Sequence, residues 1–320
     1  MKNRFTNLIK TYSMKKCLLV AFSLCIAGGV ALAQPKGAGE PQLLIKSSAG
    51  LMSPVWSPDG SKIAVTADNY TGIFVANADG SGLKKVTGEA GAGYKMAWSG
   101  DSKSILGRTN VTENRRVLHE LKVWDIENGS SRTVVAKTRG MKGTPTWKDA
   151  ERVIFTDREG FKAADVRTSA KTNATPDAYS TMMNDPVGAA KQIASLRPYG
   201  AKMVLNPALS PDGKKVAFQL PGKGVFTCNA DGSDVQSLCD GSHPAWLPDN
   251  RTVVVSRVSD DGSRFTASDL YAIDTENGNE VLLTGNTDCI PLTPAVSPDG
   301  KRVAFENAQD ASIYVIDLKY

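Results

Sequence analysis

A short motif that ends in a tight turn returns six times along this chain, and no other property of the sequence narrows the fold as much. Its clearest copies are Pro54-Val-Trp-Ser-Pro-Asp-Gly60, Pro207-Ala-Leu-Ser-Pro-Asp-Gly213 and Pro294-Ala-Val-Ser-Pro-Asp-Gly300. Looser copies are Met96-Ala-Trp-Ser-Gly-Asp-Ser102, Pro145-Thr-Trp-Lys-Asp-Ala-Glu151 and Pro244-Ala-Trp-Leu-Pro-Asp-Asn250. In Ser-Pro-Asp-Gly the proline fixes φ at the second turn position, the aspartate bonds downstream backbone, and the glycine accepts φ > 0.

Each turn is followed by a β-rich run such as Lys62-Ile-Ala-Val65, Lys215-Val-Ala-Phe218 or Arg302-Val-Ala-Phe305, so turn plus run makes a hairpin. A third run follows, as in Ile73-Phe-Val-Ala-Asn77 or Ile313-Tyr-Val-Ile-Asp317, and then a fourth, as in Leu83-Lys-Lys-Val-Thr87 or Glu280-Val-Leu-Leu-Thr284. Four antiparallel strands repeated six times predict an all-β, six-bladed propeller spanning residues 34–320. Its blades lie near 54–88, 94–137, 144–196, 206–239, 243–284 and 293–320, the last completed by 42–47. The motif aromatic or its substitute (Trp56, Trp98, Trp147, Leu209, Trp246, Val296) recurs after 42, 49, 62, 37 and 50 residues. The long step marks an insertion in blade 3 near 169–190, expected between the third and fourth strands and on the face opposite the second-to-third loops.

The sixth repeat stops at Tyr320 after its third strand. Gln42-Leu-Leu-Ile-Lys46 has the character of an outer strand and is expected to supply the missing fourth, closing the ring and covering an edge. Trp56, Trp98, Trp147 and Trp246 share one register and are expected to fill the wedges between blades.

Residues 1–33 combine Lys2, Arg4, Lys10, Lys15 and Lys16, no acidic residue, an apolar run from Cys17 to Val30, and Ala31-Leu32-Ala33. That order describes a secretory signal peptide, with an apolar run too short to span a membrane. The address expected is periplasmic or secreted. Those five basic residues account for the whole formal charge of +5, so the remainder is formally neutral. A binder of nucleic acid needs a basic surplus to displace counterions, and nucleic acid is not an expected partner. Cys228, Cys239 and Cys289 remain, an odd number; a Cys239–Cys289 bridge and free thiols both stay open.

The repeated Pro-x-Trp-Ser-Pro-Asp-Gly turns, the Ile-Ala-Phe-like and Tyr-Val-Ile-Asp-like strands and the Leu-Thr-like outer strand resemble the repeats of the TolB propeller, over about 41–320. The TolB pattern places an α/β domain before its propeller, and this sequence departs from it there, since Gln34 leads straight into the first outer strand. The resemblance implies a non-enzymatic, monomeric binding module of the bacterial cell envelope that presents a propeller face to a protein, peptide or glycan. The same repeats occur in oligogalacturonate-lyase-like enzymes, so a carbohydrate-active propeller is the alternative. An enzyme of that type is expected to hold a metal through several histidines, whereas this chain has only His119 and His243.

No catalytic, cofactor or metal residues are assigned: there is no Gly-x-Ser-x-Gly elbow, and Asp59, Asp212, Asp249 and Asp299 recur because the turn recurs. Ligand contacts are expected where loops differ. His243 stands at the entry to an inner strand, near the mouth of a central channel. Blade 2 carries a long loop from Arg108 to Arg116 and blade 5 another from Arg257 to Phe265. In a ring of six these blades are opposed, so Arg115, Arg116, Arg264 and Phe265 are expected to flank one channel mouth as a clamp.

Overall fold

The computed structural model describes residues 33–285 and 287–320; the segment expected to be a signal peptide lies, apart from Ala33, outside the described residues. Gln34–Tyr320 form one compact unit built of six antiparallel sheets. From inner to outer strand, blade 1 comprises Met52–Trp56, Lys62–Ala67, Thr71–Asn77 and Lys84–Thr87. Blade 2 comprises Ala97–Trp98, Ser104–Glu113, Arg116–Asp125 and Ser131–Thr138. Blade 3 comprises Thr146–Trp147, Arg152–Asp157, Gly160–Asp165 and Lys171–Asn173. Blade 4 comprises Leu205–Leu209, Lys215–Leu220, Gly224–Asn229 and Gln236–Cys239, and blade 5 Ser242–Trp246, Thr252–Asp260, Phe265–Asp274 and Glu280–Leu282. No helix among the described residues is long and apolar enough to cross a membrane.

Blade 6 has Pro291–Val296, Arg302–Asn307 and Ser312–Lys319, and its outer edge comes from the start of the described chain. Gln42 pairs with Val315, Leu43 with Tyr314 and Ile45 with Ile313; Lys36 and Gly37 continue the pairing opposite Lys319 and Leu318. The expected ring closure is therefore present. Ile45 is buried against Leu51, Trp56 and Ile313, which ties the closing strand into the core between blades 6 and 1.

The turns form as their chemistry dictates. In blade 1, Gly60 N–H donates to the Ser57 carbonyl (2.9 Å) with Gly60 at φ 70°. Ser57 Oγ donates to Asp59 Oδ1 (2.6 Å) and accepts from Lys62 N–H (3.0 Å), while Ser61 N–H donates to the same carboxylate (3.0 Å). The serine–aspartate bond repeats at Ser99–Asp101, Ser210–Asp212 and Ser297–Asp299. The Ser57 hydroxyl, then the Ser61 backbone, draw the Asp59 carboxyl from 3.8 down to about 2. Asp101, Asp212 and Asp299 are lowered by the same leading cause. The folded state thus binds fewer protons than the unfolded chain in acid. Stability that is complete above about pH 4 is expected to fade as pH falls toward 2, and Asp59→Asn to make that acid limb shallower in a series of melting curves.

The motif tryptophans do more than fill wedges. Each indole N–H donates to an inner-strand carbonyl of the preceding blade: Trp98 to Val55 (3.0 Å), Trp147 to Ala97 (3.1 Å), Trp246 to Ala208 (3.0 Å) and Trp56 to Ala295 (3.0 Å). The last of these crosses the closing junction.

The blade 3 insertion requires a correction. The outer strand Lys171–Asn173 lies inside the stretch expected to be inserted, and the excursion comes after it, between blades 3 and 4. Because every strand reverses direction, this connection emerges at the same end as the second-to-third loops, not the opposite one. It is also helical. Helix α1 (Ala178–Asn184) starts at Asp177, whose side chain accepts from Ser180 N–H, and helix α2 (Pro186–Gln192) starts at Asp185, whose side chain accepts from Gly188 N–H. Met182, Ala189 and Leu196 are buried on Val216, Phe218 and Phe226 of blade 4, which seats the insert on the propeller. Cys228, Cys239 and Cys289 are free thiols, and burial pushes Cys228 up to about 12 and Cys239 to about 11.

Candidate functional site

One backbone irregularity recurs at the start of the inner strands and builds a site on the propeller axis. In blades 1, 4, 5 and 6 the register between inner and second strands slips at the same place, a β-bulge. The residue inside the slip has a left-handed backbone: Ser53 (φ 52°), Asn206 (φ 49°), His243 (φ 52°) and Thr293 (φ 48°). Lys95, at the same position in blade 2, has φ 50°. A bulge of this kind re-aims a side chain, at a cost of about 1 kcal/mol or more for a non-glycine residue. All five residues line one central cavity of about 290 Å³. In blade 3 helix α1 takes the place of the bulge: Thr144 N–H donates to the Met183 carbonyl (2.9 Å), and Tyr179 and Met183 join the cavity wall.

The wall is rich in donors. Lys95 Nζ donates to Asn206 Oδ1 (2.7 Å), and Asn206 Nδ2 donates to Gln219 Oε1 (3.0 Å). Burial lowers the Lys95 ammonium from 10.5 to about 8. Burial, and secondarily the Lys95 charge, lowers His243 to about 4, so its imidazole is neutral at pH 7; Nδ1 lies 3.2 Å from Ser242 Oγ. Tyr70, in the second-to-third loop of blade 1, meets Tyr94 edge to face at 4.8 Å, and the Arg108 guanidinium lies over the Tyr94 ring at 5.7 Å. Arg108 is fixed by donation to the Gly143 carbonyl (2.5 Å). Burial raises Tyr70, and raises Tyr179 to about 12, so these phenols keep their protons. Glu306 accepts from Ser53 N–H and Thr293 Oγ, both at 2.8 Å, which pins two of the bulges; burial raises its pKa.

Of the candidate ligand contacts His243, Arg115, Arg116, Arg264 and Phe265, only His243 lines this cavity. Blades 2 and 5 do carry the two extended hairpins, with second and third strands of 9 or 10 residues against six or seven in blade 1. Their tips do not converge on the cavity wall. Arg264 and Phe265 line a separate open cleft of about 820 Å³ with Asp260, Ile290 and Gln309, between blades 5 and 6. Arg115 and Arg116 are exposed at the blade 2 tip and line neither space. The residues expected to form a clamp thus stand on two separate hairpin tips, none of them in the lining of the central cavity. His119 lies on the blade 2 hairpin with Nδ1 3.0 Å from Asn110 Oδ1. Sequence inspection missed Lys95, Asn206, Tyr70 and Tyr94. Among the described residues no group of three or more His, Cys, Asp or Glu is placed to hold a metal ion.

No protein-family model matches the chain, and no curated protein does. Among solved structures it is similar to an oligogalacturonate lyase from Vibrio parahaemolyticus, with TM-score 0.58 and 13% identity over 88% of this chain and 98% of that one. It is similar to the Swd1 β-propeller domain from Myceliophteria thermophila, with TM-score 0.58 and 11% identity over 87% of this chain and 100% of that domain. It is also similar to TolB from Acinetobacter baumannii, with TM-score 0.48 and 15% identity over 84% of this chain and 64% of that one. At such identities the first two likenesses speak to architecture. By fold the chain is a six-bladed β-propeller of four-stranded antiparallel blades, its last blade completed by an N-terminal strand.

Proposed function

We propose that this chain is a non-enzymatic, monomeric binding module of the bacterial cell envelope, periplasmic or secreted, that presents one propeller face to an envelope protein, peptide or glycan. The observation that carries this reading is that the unusual elements share one end of the ring. The hairpins of blades 2 and 5, the helical insert between blades 3 and 4, and the bulged starts of the inner strands all lie there, while the opposite end carries the short recurring turns. Loops that depart from a repeat are where a propeller distinguishes one partner from another.

The test is affinity capture from bacterial envelope extract and binding to a glycan array, followed by titration of the identified partner. Arg115→Ala/Arg116→Ala/Arg264→Ala is expected to weaken that affinity at least tenfold, through loss of charge complementarity, without changing the melting temperature. An unchanged affinity would remove the hairpins from the binding face. The competing reading, a carbohydrate-active propeller, requires the purified protein to degrade polygalacturonate; none is expected to be degraded.

A further inference from the structure

The central cavity holds a charge that makes no ion pair among the described residues. Its lining contains an ammonium, a neutral imidazole, three phenols and an amide, and the carboxylate behind it, Glu306, is taken up by Ser53 N–H and Thr293 Oγ. The hydrogen bond of Lys95 goes to a neutral amide oxygen, Asn206 Oδ1 at 2.7 Å. Isolating a cation in this way is costly unless something ionic completes it. The phenols tell the same story. Tyr199, Tyr314 and Tyr320 each engage their hydroxyls with protein acceptors. Tyr70, Tyr94 and Tyr179, which line the cavity, have no such acceptor among the described residues. An ammonium and three phenol hydroxyls border a space of about 290 Å³, enough for a small organic molecule and too confined for a folded domain.

The backbone adds an independent observation. Glycine would adopt the φ of about 50° at the bulge without strain, yet the five positions carry serine, lysine, asparagine, histidine and threonine. Five strained residues with five different polar side chains, all lining one cavity, are a site assembled from the repeat and then diversified.

We infer that the cavity binds a small organic carboxylate, whose oxygens dock on the Lys95 ammonium and the neighbouring phenol hydroxyls while its body lies against the aromatic faces and Met183. This rests on the binding-module reading and narrows its ligand. A carboxylate fits because it presents only acceptors, takes two or three donors at once and neutralises the single charge. Two sources share that chemistry, an acidic sugar and a peptide C-terminus.

The experiment is calorimetric titration and thermal shift of the purified protein with D-glucuronate against D-glucose, and with N-acetyl-Gly-Gly carboxylate against its C-terminal amide. One carboxylate is expected to bind and raise the melting temperature, and its neutral counterpart to do neither; the arm that responds names the source. Lys95→Met is expected to weaken binding at least tenfold, equivalent to about 1.4 kcal/mol. It is also expected to leave the ligand-free melting temperature equal to or above that of the native protein, because a charge without an ion pair is removed. A merely structural lysine holding Asn206 would give the reverse, a lower melting temperature. Lys95→Gln, of similar polarity, gives the same readout should the methionine variant fold poorly, and Lys103→Met, in an exposed turn at the opposite end of the ring, is expected to bind the carboxylate normally. The inference is overturned if neither carboxylate binds, or if binding survives loss of Lys95. Carboxylate binding without partner capture by the hairpin face would leave the cavity assignment standing and remove the hairpin one, and the converse holds.

Discussion

Deleting residues 41–47 is expected to lower the melting temperature by roughly 15 °C or more, a loss on the order of 5 kcal/mol for a domain of this size. The segment supplies Gln42–Ile45, the outer strand paired with Ile313–Val315. Ile45 is 3% exposed, and emptying such a site costs about 2–5 kcal/mol on its own. The strand is also a seat for its neighbour. A Cβ on Gly80, in the turn between the third and outer strands of blade 1, would come within 2.0 Å of the Leu44 carbonyl, so that turn rests directly on the closing strand. Deletion therefore opens two contacts at once and leaves Ser312–Lys319 as an unprotected edge, with aggregation as a second symptom in size-exclusion chromatography. Leu43→Ala is the internal control: Leu43 belongs to the same strand but is 51% exposed, and the change should stay within about 0.5 kcal/mol. An unchanged melting curve for the deletion would mean that closure contributes nothing.

Trp56→Ala is expected to cost about 3–5 kcal/mol, and Trp56→Phe only about 1 kcal/mol. The two substitutions separate the roles of this residue. Alanine empties the wedge between blades 1 and 6, in which Trp56 packs with Leu51, Ile63 and Ile313. Phenylalanine keeps most of that packing but orphans the Ala295 carbonyl, which otherwise receives the indole N–H at 3.0 Å. Arg302, stacked 4.7 Å from the Trp56 ring, loses its platform in the alanine variant alone. Leu209 is the matching residue of blade 4, lies 39% exposed and has no N–H to give. Leu209→Ala should cost less than about 1 kcal/mol in chemical denaturation. Equal losses at positions 56 and 209 would contradict a special role for the indole stitch.

The repeat made most of the architecture legible, because one physical cause recurs with each copy. Ser-Pro-Asp-Gly is a turn in any context, and the apolar runs after it are short enough to be strands alone. The closing strand was legible for the complementary reason, a missing partner at one end and a spare one at the other. The blade 3 region was obscured because Lys171–Asn173 is polar and exposed, so hydrophobic patterning could not mark it as a strand. The helices after it did leave signals that were passed over: Asp177 before Ala178, and Asp185-Pro186, are capping residues followed by helical starts.

The cavity was harder to find, since its lining comes from positions far apart in sequence that the ring brings together. His243 stood out as one of two histidines, while Lys95 is one of many lysines. A usable signal nonetheless existed. The residue just before the motif start is Ser53, Lys95, Asn206, His243 and Thr293 in five repeats, a slot that stays polar and changes identity while its surroundings repeat. The distance of the Arg115/Arg116 and Arg264 tips from the cavity wall was illegible for a related reason. Blade order fixes which blades oppose one another, but not how far a hairpin leans toward the axis.

The closing strand also imposes a timetable on folding. Gln42–Ile45 leaves the ribosome some 270 residues before its partner, Ile313–Val315, so a strand made at the start is satisfied only at the end. Until then the nascent molecule is an open arc with a raw margin at each extremity, and a chain halted before residue 312 keeps both. Contacts of such long span form slowly, because their loop entropy must be met before they return any stability. Holding that arc apart from its neighbours during synthesis is the demand this fold places on the cell that makes it.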